Sequence, residues 1–318
     1  MNEHLEHTFK RYGATLFWII IAIIGYNFLP YYHNFLNNKT KITLLILASL
    51  YAILAFPIIY YTTKNKPPEP NKSILALQLL KNIPRNIHEQ EQIPAEQKNA
   101  ILFTLVKFFF TPLMINFLFS NFNILNSTPK TNYYAFILIA LFTIDTLIFT
   151  VGYLIEHPKL KNTLRSVEPT LFGWVVALIC YPPFNQIVGA YIPWGANDMA
   201  TYSTETITLI ARITIIALLL IYVSASRALG FKASNLTNRG IVTQFPYSIV
   251  RHPAYISKVS LWWITLLPVI NISFALGMVF WTIIYLCRAL TEERHLMHDP
   301  EYQEYCKKVK YKFIPKII

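Results

Sequence analysis

Hydrophobic positions along this chain fall into blocks of about 20 rather than into short amphipathic periods. Six uncharged or nearly uncharged stretches cover roughly 14–31, 42–61, 99–120, 133–155, 171–189 and 206–226. A seventh apolar run is longer: between Val259 and Cys287 there is no charged side chain, and polarity returns abruptly at Glu292 and Glu293. One crossing of a bilayer needs about 20 residues, so residues 255–291 read as two short helices turning near Pro268 and Asn271. The pattern predicts an all-α, polytopic transmembrane helix bundle of about eight spans. Its last two spans form a short hairpin, and a cytoplasmic C-terminal helix follows.

Such a hairpin returns the chain to the side it left. Arg251 and His252, just before it, then face Glu292, Glu293 and His295, just after it, across one membrane surface. Pro253 confines His252 to an extended backbone and can open the next helix. Two cationic or protonatable groups and two carboxylates thus converge from about 40 residues apart, and Arg251 and Glu292 stand as the candidate catalytic pair.

Composition agrees with a membrane protein: 54% of the 318 residues are hydrophobic and 14% charged. The net charge of +12 would suit nucleic acid if it formed one patch. Instead, alternate loops carry 22 Lys and Arg against 3. This positive-inside asymmetry predicts an inner (plasma) membrane protein with both termini cytoplasmic, no nucleic-acid partner, and the lipid bilayer as its surroundings. The first apolar stretch lacks a cleavage pattern and reads as a span. Cys180, Cys287 and Cys306 show neither disulfide nor zinc spacing.

Several local features carry expectations of their own. Residues 62–98 form one long polar loop, broken at Pro67-Pro68-Glu69-Pro70, Pro84 and Pro94, with a surface helix from Lys72 to Asn82 whose leucines lie on the bilayer. Lys107 and Asp145 sit at similar depths of roughly 12–15 Å. They read as an ion pair, with a substrate or proton path as the alternative. Arg212 can snorkel outward. Tyr181-Pro182-Pro183 breaks the fifth span. Arg288 and Glu292, at i and i+4, can pair. Asp299-Pro300-Glu301 reads as the start of a helix, whose Tyr302, Tyr305, Cys306 and Val309 share one face. Glu292-x-x-His295 with His298 could suggest a metal, but no second such pair exists in the chain, so no metal is expected.

The sequence Gly240…Pro246-Tyr247…Val250-Arg251-His252-Pro253-x-Tyr255 resembles the signature of integral-membrane methyltransferases of the isoprenylcysteine carboxyl methyltransferase type. Glu292-Glu293-x-x-Leu296, Tyr302-x-x-Tyr305-x-x-x-Val309 and Ile314-Pro315 extend the resemblance, which runs from about Leu229 to Ile318. Phospholipid methyltransferases are more distant relatives. Phe245 stands where that family has glycine, and Asp299-Pro300 where it has Phe-Gly. The resemblance divides the chain into helices of unassigned role (1–226) and a methyltransferase-like part (227–318). It implies S-adenosylmethionine as cofactor and a lipophilic or lipidated acceptor. His252, Pro253 and Tyr255 would line the cofactor pocket, roofed by Tyr302 and Tyr305, with Glu292 or Glu293 on the methionyl ammonium and Arg251 able to hold the carboxylate. Tyr305-Cys306…Val309-Lys310-Tyr311-Lys312…Pro315 also resembles the tail of sterol reductases, which leaves an NADPH-dependent membrane reductase as an alternative. A transporter or scaffold is a third.

Overall fold

The computed structural model describes residues 3–64, 71–89 and 92–317. They form two compact units, residues 1–119 and 120–318. In the first, α1 (Glu3–Phe28) and α3 (Asn38–Thr63) make an antiparallel pair joined through the short α2 (Pro30–Phe35). The turn between them is fixed by polar side chains. Asn37 caps α3 by accepting from Thr40 N, and Asn116 Oδ1 accepts from Asn37 N at 2.8 Å. Asn116 comes from α5 (Ala95–Ser127), whose last turns belong to the second unit.

α4 (Lys72–Glu89) realises the surface helix, but it continues through Pro84 instead of breaking there. It also packs against α1, since Trp18 Nε1 donates to Ser73 O and Leu79 is buried. Leu79 therefore belongs to the protein interior, whereas Leu80 is exposed. Pro67-Pro68-Glu69-Pro70 lies outside the described residues.

The second unit contains α6 (Tyr133–Leu154), α7 (Leu171–Leu178), α8 (Phe184–Tyr191), α9 (Glu205–Leu229), α10 (Pro253–Leu266), α11 (Ile272–Leu296) and α12 (Pro300–Lys308). α9 is its spine. Ile215, Leu219 and Val223 recur at helical spacing and interlock with Leu138 and Leu141 of α6 and Leu261 of α10. A two-residue antiparallel pair, β1 (Ser166–Val167) with β2 (Thr237–Asn238), ties the loop after α6 to the loop after α9. No hydrophobic period announces strands so short.

Among the described residues, six helices are long and apolar enough to cross a membrane: α1, α3, α5, α6, α9 and α11. The other two expected spans are shorter. The fifth is split at Tyr181-Pro182-Pro183 into α7 and α8, of eight residues each, because each proline removes a backbone donor. The first arm of the hairpin, α10, has 14 residues. The hairpin itself turns where expected, through a 3₁₀ turn at Leu267–Val269 and an Asn271 cap that accepts from Phe274 N at 2.9 Å. Near the turn, a Cβ on Gly277 would lie 1.9 Å from Pro193 O, so only glycine lets α11 pass that backbone. The second arm, α11, runs on for 25 residues and carries Glu292 and Glu293 back to the start of α10.

Two charged groups expected in ion pairs have other partners within their own units. Both Asp145 oxygens accept from hydroxyls of α9, Ser226 at 2.5 Å and Tyr222 at 3.1 Å. Lys107 lies over the Phe103 ring. Arg288 donates to Asn235 Oδ1 rather than to Glu292, and its guanidinium stacks among Tyr181, Tyr255 and Tyr285. A guanidinium is weakly hydrated and favours such aromatic faces over a carboxylate exposed to water. Arg212 does not simply snorkel: its guanidinium sits 4.8 Å from the Tyr134 ring centre.

Candidate active site

The floor of the site is the loop between α9 and α10. Its backbone includes a left-handed residue, Leu236, and Gly240 at φ 99°, so it cannot persist as a helix and is held by side chains instead. Arg239, 2% exposed, donates to the carbonyls of Asn162, Gly152 and Ile155. Asn235 donates through both N and Nδ2 to Tyr153 Oη at 2.7 Å. The Arg239 contacts to Gly152 O and Ile155 O meet carbonyls freed at the C-terminus of α6, and the Asn235 contacts engage the buried Tyr153 hydroxyl.

The loop then delivers Arg251-His252-Pro253. Pro253 occupies the first turn of α10. The C-terminal tail runs back alongside: Arg251 N donates to Tyr311 O at 3.0 Å and His252 N to Lys312 O at 2.8 Å. On α11, Glu293 is buried and surrounded by cationic or protonatable groups. Lys312 Nζ is 2.8 Å away, Arg251 Nε 2.9 Å and His252 Nε2 3.2 Å. The arginine contact is off line for a hydrogen bond and acts as a charge contact. Burial works against the charge on Arg251, but Cys306 and Glu293 beside it outweigh that and hold its pKa above the ordinary value. Glu293 is therefore the knot that ties the tail to the hairpin.

Glu292, a helical step of about 100° away, points elsewhere. It is exposed and accepts from Tyr255 Oη at 2.7 Å. Among the described residues no cation pairs with it. Arg251, His252, Tyr255 and Glu292 all line one cavity, which encloses about 1000 Å³ of empty space including its open mouth. Its deeper wall carries Lys258, whose ammonium lies 5.3–5.8 Å from the ring centres of Trp262, Tyr222 and Tyr285. Cation–π contact of this kind is how an ammonium is tolerated where carboxylates are scarce.

Pro253, Glu293, Tyr302 and Tyr305 are not among the lining residues. Tyr302, Tyr305 and Val309 form the buried underside of α12, packed on Ile241 and Tyr247, and Tyr305 Oη donates to Tyr247 O at 2.7 Å. They fasten α12 to the loop before α10. Asp299 caps α12 through Glu301 N and also accepts from Arg165 at 2.8 Å and Asn238 at 2.7 Å. Burial raises the Asp299 pKa, but these three donors outweigh it and hold the carboxyl below its usual range. The stabilisation is thus fully present above about pH 4, the ordinary carboxylate value, and is lost as pH falls through the lower folded value. Asp299→Ala is expected to loosen α12 by about 1 kcal/mol. Limited proteolysis near Lys307 and Lys308 at neutral pH checks it, and unchanged cleavage would refute the clamp.

Arg239, Lys258, Asn235 and Glu168 escaped the reading of sequence motifs, although Lys258 was visible as a lone charge at the head of the apolar run. No three His, Cys, Asp or Glu side chains converge as metal ligands among the described residues. His295 Nε2 instead sits 2.8 Å from Ser166 Oγ. Comparison with known proteins places the phospholipid methyltransferase family model on residues 207–299, from the first turn of α9 to the cap of α12. No curated protein matches the chain.

Proposed function

We propose that this integral membrane protein, whose residues 207–299 carry a phospholipid methyltransferase domain, moves a methyl group from S-adenosylmethionine to a lipophilic acceptor. One observation carries the reading. The arms of an intramembrane hairpin bring Arg251, His252 and Tyr255 together with Glu292 at the mouth of a single cavity. That donor set fits the cofactor: a carboxylate without a cationic partner suits an ammonium, and tyrosine faces suit a sulfonium. S-adenosylmethionine supplies an electrophilic methyl group that needs little acid–base help.

The chain's own residues do the positioning, which is where the rate comes from in such a transfer. Glu292, oriented by the Tyr255 hydroxyl, takes the methionyl ammonium. Arg251 and His252 line the same mouth, and Arg251 holds the carboxylate of the donor. Tyr302 and Tyr305 press α12 onto Tyr247 and so keep water out of the cavity. Within this proposal residues 227–318 carry the donor chemistry, both termini are cytoplasmic, and the acceptor enters from the bilayer.

Binding of labelled S-adenosylmethionine and NADPH to the detergent-solubilised chain tests the reading. Saturable donor binding without NADPH binding is expected, together with transfer of labelled methyl into the lipid extract of membranes. Selective NADPH binding would replace the methyltransferase by a reductase.

A further inference from the structure

Glu168 lies outside the family-matched segment, at the end of β1, yet it forms part of the cavity wall. It is 3% exposed. Its two oxygens are treated very differently. Oε1 accepts from Thr170 N at 3.0 Å, from the Thr170 hydroxyl, and from Arg294 Nη2 at 2.9 Å. Oε2 is buried and has no partner. Three more lining residues carry an unpartnered buried atom: Thr237 Oγ1 from β2, Ser234 Oγ, and Arg251 Nε, which has its charge contact to Glu293. Buried polar atoms are almost always satisfied, so Glu168 Oε2 and Thr237 Oγ1, from residues brought together by the pairing of β1 with β2, call for an explanation in the ligand.

The position is built to hold this carboxylate. Glu168 N donates to Leu236 O at 2.8 Å, and Trp174 Nε1 donates to Glu168 O at 2.8 Å. A Cβ on Gly173 would fall 2.4 Å from Glu168 Cγ and 2.7 Å from Oε1, so glycine is what lets the side chain lie against α7. Structural needs are met by Oε1 alone. They leave Oε2 unpartnered on a side chain that lines the cavity.

Charge decides what it would accept. Arg294 already neutralises Glu168, whereas no cation pairs with Glu292 among the described residues. A second ammonium would gain little at a neutralised carboxylate, but a neutral hydroxyl gains a strong, charge-assisted hydrogen bond. We infer that Glu168 Oε2 and Thr237 Oγ1 form a hydroxyl-binding subsite that takes the ribose diol of the methyl donor. This rests on the donor proposed above and assigns part of its recognition to the segment before α7.

Calorimetric titration of the detergent-solubilised full chain with S-adenosylhomocysteine and its 2′-deoxy and 3′-deoxy analogues tests the subsite. Wild type should bind at least one deoxy analogue about tenfold more weakly than the parent, the loss expected for one charge-assisted hydrogen bond. Glu168→Gln should weaken the parent by a similar factor and lose nothing further with that analogue. Thr237→Val, which removes only the orphan hydroxyl, should weaken the parent about threefold and blunt discrimination of the other analogue. It covers the case in which Glu168→Gln fails to fold. Wild-type affinity that ignores both deoxygenations would overturn the subsite while leaving the donor intact. Equal losses for parent and analogues in both variants would also overturn it, reducing Glu168 and Thr237 to positioning roles. A wild-type chain that binds no S-adenosylhomocysteine would remove the donor reading and the subsite together.

Discussion

Glu292→Gln is expected to weaken S-adenosylmethionine binding by about tenfold, because a charge-assisted contact is worth about 1.4 kcal/mol more than the neutral one that replaces it. Glu293→Gln, one residue along, should behave differently. Glu293 is enclosed by Lys312, Arg251 and His252, so the change leaves the half-buried Lys312 and Arg251 without their carboxylate and lowers the melting temperature instead of donor affinity. Sequence alone leaves these adjacent glutamates interchangeable. The rotation of α11 separates them, sending one to the cavity and the other to the tail. Donor titration and a thermal melt on both variants decide the matter. A Glu292→Gln chain with wild-type affinity would take the ammonium contact away from that residue.

Arg239→Ala carries the largest expected cost in stability. The guanidinium is 2% exposed and satisfies three main-chain carbonyls, those of Gly152, Ile155 and Asn162. Truncation leaves two buried acceptors, Gly152 O and Asn162 O, without this donor at about 1–3 kcal/mol each before relaxation, while Ile155 O keeps its bond from Asn162 Nδ2 at 2.8 Å. Allowing for water entry, about 3–5 kcal/mol is a reasonable total, on the scale of breaking a buried ionic contact. For a unit of this size that is roughly 10 °C in melting temperature. Arg239→Lys should recover little, since one ammonium cannot span the fork of three carbonyls. A melting temperature within 2 °C or so of wild type would show that the loop stands without this staple.

Much of the architecture was legible because membranes impose a simple code. The charge-free run from Val259 to Cys287 exceeded one crossing, and Pro268 and Asn271 marked where it had to turn; the hairpin follows from those facts. Asp299-Pro300-Glu301 announced α12 for equally local reasons. The partners of the buried charges were less legible. Asp145 met hydroxyls of α9, and Arg288 met aromatic rings and Asn235, because helix rotation selects partners and hydropathy says nothing about rotation. Glu168 was invisible for another reason. Its neighbours are Leu236 and Thr237, some 70 residues away, and the two-residue strands that unite them leave no periodic trace. The Arg251–Glu293 and Tyr255–Glu292 contacts were anticipated as a cluster, but not as two separate functions.

The unequal arms of the hairpin have a consequence for the lipid. α10, with 14 residues, spans about 21 Å at 1.5 Å per residue, short of a hydrocarbon slab of about 30 Å. Its tip therefore stops within the opposite leaflet, or the bilayer pinches inward to meet it, at a small cost for each ångström of mismatch. The shorter arm thus sets the hydrophobic thickness that suits this hairpin, and short-chain bilayers match it better than long-chain ones.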